Sequence, residues 1–333
     1  MISSLFHRFR PVLSLLAGAA FVIGAPLAFA GTPAEEKLAK SIIEPEPETH
    51  VHFLFNFEFA NEYVTPRGMI VRDTGLTVQP LFLTFINLYK SDSFLSDVSL
   101  VGGVWNDFGT DRVAKHPPYG SEPSTNWTEI DPIAGISFGF GKNVKLEVTY
   151  TAFAEQILDI GTSHHLEVKL SLNDTDLLGA FALHPYVSFW YELSSKATDA
   201  DVPQLVFGPS LNSGDHPMPG SSFYFEIGVA PSYTFKGLGD LKIEAPCRVL
   251  LPNERFYGEY YGSASTVGLY ELGLKASLPL NFMPKGYGHW SAHVGFRYMN
   301  FVDDNLYALN TFNAPGEPTR DTWQVYGGIS IFF

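Results

Sequence analysis

From Thr49 to Val64 the chain reads THVHFLFNFEFANEYV, with Val51, Phe53, Phe55, Phe57 and Phe59 on every second residue and His52, Asn56, Glu58 and Glu62 between them. Successive side chains of a strand point to opposite faces, so this ribbon has one apolar wall and one polar wall. Phenyl groups repeated this regularly need a large apolar medium. The same alternation sets Val144, Leu146, Val148 and Tyr150 against Lys145, Glu147 and Thr149. It sets Leu166, Val168, Leu170 and Leu172 against Glu167, Lys169 and Ser171, and Phe223, Phe225, Ile227 and Val229 against Tyr224 and Glu226. It recurs down to Ile329, Ile331 and Phe333. After the first thirty residues no segment approaches the roughly 20 unbroken apolar residues that a spanning helix needs. A membrane crossing by this chain is therefore expected to use strands.

Residues 1–30 place Arg8 and Arg10 before an apolar stretch from Val12 to Phe29 and end on Ala28-Phe29-Ala30, the three-part layout of a secretory signal peptide. They carry two arginines and no acid, so their removal takes the formal charge from −14 to −16. Such a surface repels nucleic acid, which is not an expected partner. Cys247 is the single cysteine, so an internal disulfide and a cysteine-rich metal site are both ruled out. Residues 31–48 close on Glu44-Pro45-Glu46-Pro47-Glu48 and read as a periplasmic tether or short helix before a barrel over 49–333.

Twelve strand candidates follow, near 49–64, 76–89, 97–107, 127–140, 143–154, 164–173, 180–193, 222–235, 241–251, 266–278, 289–301 and 321–333. Even-numbered candidates are followed by short links such as Gly141-Lys142 and Gly237 to Asp240. Odd-numbered ones are followed mostly by long polar excursions, at 108–126, 194–221, 252–265 and 302–320. An even strand count with short turns at one rim and long loops at the other predicts an all-β fold, a transmembrane antiparallel barrel of the bacterial outer membrane, with short periplasmic turns and long outer loops. Phe53, Phe55, Phe57, Phe59, Trp290, Trp323 and Phe333 are the expected lipid contacts. Tyr150, Tyr191 and Tyr233 fit aromatic girdles. Pro80, Pro132, Pro185, Pro231 and Pro246 fall inside candidates and must mark bulges or ends, because a closed barrel has no free edge for a residue without a backbone donor.

The block Asn61-Glu62-Tyr63-Val64-Thr65-Pro66-Arg67-Gly68, then Asp73, Gly75 to Pro80 and Val101-Gly102-Gly103-Val104-Trp105, resembles the opening of a family of uncharacterised bacterial outer-membrane β-barrel proteins. In that family a tyrosine and an Arg-Gly pair end the first strand and a Gly-x-Trp closes the third. Asn126 to Asp131 with Ala134-Gly135 looks like its fourth strand, and here Thr65-Pro66 is inserted before the Arg-Gly pair. The resemblance implies a porin-like barrel and its location. It implies no reaction. The apolar faces and a terminal Phe333 that looks like the signal read by the outer-membrane assembly machinery make lipid and that machinery the expected partners.

The polar faces give an expected lumen of Glu58, Glu62, Glu129, Asp131, Glu147, Glu167, Glu192, Glu226, Glu244 and Glu271 against Lys145, Lys169, Lys242, Arg248, Lys275 and Arg297. Ionised groups persist there only if water or paired charges surround them. Barrels of about eight strands fill themselves and those of about 16 enclose a channel, so twelve lies between. The expected function is a porin-like channel for passive passage or binding of small solutes, with weak cation preference. The alternatives are a non-conducting structural or surface-recognition barrel and an outer-membrane hydrolase built on His289, Ser291 and His293 with Glu271 nearby. Residues two apart on a strand are about 7 Å apart, too far for an easy nucleophile–base bond. The His-x-Ser-Asn-Gly run of outer-membrane phospholipases is missing as well, so no catalytic residue is assigned. His164-His165 point to opposite faces and His289 and His293 lie about 13 Å apart, so no metal or cofactor is expected.

Overall fold

The computed structural model describes residues 50–113, 125–156, 162–194, 222–254, 256–257, 265–313 and 320–333. The expected leader, 1–30, and tether, 31–48, lie outside the described residues, as do large parts of the long links 108–126, 194–221, 252–265 and 302–320. The chain forms a closed antiparallel barrel of twelve strands. These are β1 (Val51–Ala60), β2 (Thr77–Lys90), β3 (Leu95–Val113), β4 (Thr125–Phe140), β5 (Val144–Glu155), β6 (Ser163–Leu172) and β7 (Tyr186–Ser194), followed by β8 (Phe223–Val229 and Ser232–Phe235), β9 (Leu241–Glu244 and Cys247–Pro252), β10 (Leu269–Pro279), β11 (His289–Phe301) and β12 (Asp321–Phe332). Each pairs with its sequence neighbours, and β1 closes the cylinder on β12 in register from Leu54↔Phe332 to Ala60↔Tyr326.

Alternation decides what faces the bore. Along β1 the even residues Leu54, Asn56 and Ala60 are buried, while Phe53, Phe57 and Phe59 are exposed at 39–40%. Their outward neighbours are of the same kind: Phe82 beside Phe53 and Phe55, and Phe189 beside Phe223 and Phe225. Phe333 exchanges both backbone hydrogen bonds with Phe53 and so lies on that outward face. Trp290 and Trp323 also face outward, with Trp323 50% exposed. Among the described residues no helix is long and apolar enough to cross a membrane.

Prolines interrupt the wall where the ladder must give. Pro231 splits β8 and Pro246 splits β9, yet the carbonyls of both still accept, from Ala245 N–H at 2.9 Å and Gly273 N–H at 2.7 Å. At Pro80 and Pro132 one ladder skips: Gln79 and Pro80 have no ladder pair on β3, and Asp131 and Pro132 have none on β5. Pro185 precedes β7.

Two expectations are corrected. The seventh strand begins at Tyr186, not near residue 180, because the positive φ of Gly179 (57°) and His184 (48°) turns Ala180 to Leu183 into a link despite their apolar character. The first strand ends at Ala60, not at Val64. Asn61 stops it. Its side-chain carbonyl accepts Val325 N–H at 2.7 Å and its amide donates to Trp323 C=O at 3.2 Å, occupying the β12 groups that a longer β1 would use. Tyr63–Val64 then leave the wall and pair with Ile70–Arg72 as a short hairpin inside the barrel.

Candidate functional site: a charged vestibule beneath an inward-folded segment

The inner hairpin turns at Thr65-Pro66-Arg67-Gly68. Proline at the second position presets φ, Gly68 N–H donates to Thr65 C=O at 2.9 Å, and Gly68 adopts φ 90°. A Cβ at Gly68 would lie 2.3 Å from Leu269 Cδ2, so only glycine fits. On one side Val64 and Ile70 pack into a cluster with Tyr224, Leu250, Leu269 and Phe301 from the adjoining strands β8 to β11, and with Tyr257 and Leu306 from the links after β9 and β11. The helix Asp304–Asn313, in the link between β11 and β12, holds the segment: Asn310 accepts Ile70 N–H at 2.9 Å and donates to Gly68 C=O at 3.0 Å. Tyr257 donates its hydroxyl to Arg67 C=O at 2.7 Å.

On the other side the segment meets the wall through charge. Arg67 Nη1 lies 3.8 Å from Glu192 and 3.5 Å from His165 Nε2, and its guanidinium sits 4.6 Å from the centre of the Phe153 ring. Arg72 lies 3.7 Å from Asp107 and donates to Thr128. Tyr63 donates its hydroxyl to Glu129 and its ring packs on Trp105. Side chains of Arg72, Asp107, His165 and Glu192 are at most 2% exposed. At this level Asp107, Glu129, Asp131 and Glu192 outnumber Arg67 and Arg72 by two.

Toward the rim that carries residues 50 and 333 the bore changes character. Arg248 is forked between Glu226 at 2.6 Å and Glu271 at 2.7 Å, and its Nη1 also donates to Pro66 C=O at 2.9 Å, which ties this ring to the underside of the segment. Glu58 reaches His293 at 3.3 Å and Arg297 at 3.4 Å. Lys145 pairs with Glu147 at 2.7 Å, and Lys242 with Glu244 at 2.8 Å. Glu167 accepts the Ser188 hydroxyl, Lys169 sits over Tyr186, and Arg297 and Lys275 lie over Tyr326. Here the side chains of Lys145, Glu147, Arg297 and Lys242 are 23–32% exposed, so water reaches a vestibule that is buried at its far end. In this level six carboxylates face six basic groups, an even balance.

Of the residues expected in the lumen, Glu58, Lys145, Glu147, Glu167, Lys169, Glu226, Arg248, Glu271, Lys275 and Arg297 all point into the bore. Glu62 does not belong to the wall. It stands in the bend after β1, where its carboxylate accepts from Thr322 and its carbonyl from Gln324. The periodicity showed neither Arg67, Arg72 nor Asp107, although the Thr-Pro-Arg-Gly turn was a readable stop to the strand. Nor does the structure assemble a nucleophile from His289, Ser291 and His293. Ser291 Oγ lies 3.4 Å from Ser330 C=O, His293 faces Glu58, and Glu271 is engaged by Arg248. Among the described residues no group of three metal-ligating side chains occurs.

No protein-family model and no curated protein matches the chain. Among solved structures it is similar to an outer membrane channel from Pseudomonas putida F1, at 10% identity over 89% of this chain and 100% of that one, with a TM-score of 0.44. It is also similar to the outer membrane phospholipase A from Escherichia coli, at 12% identity over 83% of this chain and 92% of that one, with a TM-score of 0.38. The Salmonella typhi outer membrane phospholipase dimer with bound calcium gives 13% identity over 87% and 94%, with a TM-score of 0.39. Similarity at this level carries no function across.

Proposed function

We propose that the chain is a porin-like β-barrel of the bacterial outer membrane that binds or passes small solutes through its charged vestibule. In this reading the rim holding residues 50 and 333 faces the periplasm, the leader 1–30 directs export, and the segment 61–76 closes the outer end. The apolar outward face supports contact with outer-membrane lipid, and the pairing of Phe333 with Phe53 supports recognition of the last strand by the assembly machinery. The observation that carries the function is the vestibule itself. Charged side chains 23–32% exposed point inward beneath a layer of fully buried ones, and ionised groups are stable there only with water and partners. A solute entering from the periplasm meets balanced charge and then the acid-rich layer of Asp107, Glu129, Asp131 and Glu192 beside the hairpin. Passage past them therefore favours cations weakly.

Recording the purified barrel in a planar bilayer tests this. Rare openings with modest cation preference are expected, and clear anion preference would overturn the assignment. The clasp of Asn310 and Tyr257 on the inner segment favours one second reading, a permanently silent structural or recognition barrel. Absence of any opening, even in variants with the clasp removed, would select it.

A further inference from the structure

The link between β6 and β7, residues 173–185, holds a short helix, Thr175–Leu178, and a single 3-10 turn, Gly179–Phe181. It exposes Leu177 by 73%, Leu178 by 47%, Phe181 by 83% and Leu183 by 44%. Clustered apolar side chains of this size mark a contact surface. The link is also firmly built. Asp174 accepts the backbone N–H groups of Leu183 at 3.0 Å and His184 at 2.8 Å and lies 3.7 Å from the His184 ring, which keeps His184 in a left-handed conformation that a non-glycine residue adopts only under constraint. Ala230 N–H donates to Leu183 C=O at 2.7 Å, which fastens the link to β8.

Beside it stand Tyr233 and Phe235, on the outward face of β8 with their rings edge to face at 4.7 Å. Together with Thr234, Lys236, Gly237 and Leu238 they line a shallow cleft that is largely open to solvent. The turn Gly179–Phe181 packs against this part of β8. Lys236 at the cleft and Lys142 in the neighbouring turn are exposed at the same rim. An apolar trough with aromatic walls and an ammonium at its mouth matches one chemistry, an acyl chain carrying an anionic phosphate.

We infer that this cleft holds one phospholipid of the inner leaflet, its chain along Phe181, Tyr233 and Phe235 and its phosphate at Lys236. The inference rests on the membrane placement proposed above, because it continues the outward apolar face into the periplasmic boundary. The link 173–185 then serves as a foot that grips the leaflet.

Native mass spectrometry of the full chain, released from detergent after titration with phosphatidylglycerol, tests it. One retained lipid is expected. The double variant Phe181→Glu with Phe235→Ser, at exposed positions, should weaken retention by about tenfold or more. Lys236→Gln should weaken phosphatidylglycerol but not the uncharged diacylglycerol. Equal retention by wild type and double variant, or none by either, overturns the site. Heat-modifiable mobility on gels establishes that each variant is folded. Insertion into vesicles without a retained lipid would overturn the cleft alone, whereas failure to enter vesicles at all would overturn the membrane placement with it.

Discussion

Replacing Asn310 by alanine should unclasp the inner segment. The side chain is 4% exposed and makes two hydrogen bonds to it, accepting Ile70 N–H and donating to Gly68 C=O. Alanine strands one buried donor and one buried acceptor, each costing about 1–3 kcal/mol when no water replaces the partner. The closed arrangement therefore loses about 2–6 kcal/mol relative to one in which residues 61–76 are displaced and hydrated. Even the lower figure raises the displaced population roughly 30-fold, since about 1.4 kcal/mol is a factor of ten. Tyr257→Phe removes only one bond, to Arg67 C=O, so its effect should be smaller. Single-channel recording of open probability and hydrogen exchange at residues 63–72 are the assays. If Asn310→Ala folds normally and neither open probability nor exchange rises, the segment is not held by this clasp and the reasoning fails.

Phe57→Lys places an ammonium on the outward face opposite Pro80 and Ile329 and should cost about 2–4 kcal/mol in urea-titrated folding into vesicles. Arg67→Met removes the cation beside buried Glu192 and should cost about 3–5 kcal/mol. Adding Glu192→Gln should recover most of that loss, as read from a double-mutant cycle. In the link between β6 and β7, burial pushes the Asp174 carboxyl up, but the Leu183 and His184 N–H groups outweigh it and hold the group below its usual 3.8. Its support for the link is therefore complete above about pH 4 and lost as pH falls through the lowered value. Amide exchange at Leu183 and His184 should rise only in that acid window, and Asp174→Asn should flatten the dependence.

What the sequence disclosed was whatever depends on local period. Alternation along β1, β5, β6 and β8 set which residues face outward, and loop lengths set the strand count, because both follow from a two-residue repeat and from the need to return to one rim. The end of β1 was concealed because Tyr63 falls on the two-residue beat of Phe57 and Phe59. The stop comes from Asn61 capturing Val325, a residue 264 positions away. The partners of the lumen charges were hidden for the same reason. Glu58 meets His293 only because β1 closes on β12 with β11 behind it. Apolar Ala180 to Leu183 suggested strand, and only the geometry imposed by Gly179, His184 and Asp174 shows that they form a turn.

The proposed membrane placement requires one physical arrangement: hydrocarbon against the outward face of the strands and the polar bore against the other. Spin labels placed singly along residues 51–59 in vesicles measure this directly through their accessibility to oxygen and to a polar nickel chelate. Oxygen accessibility should peak at 51, 53, 55, 57 and 59 and fall at the residues between, with period two. A flat profile, or odd positions open to the chelate, would contradict it.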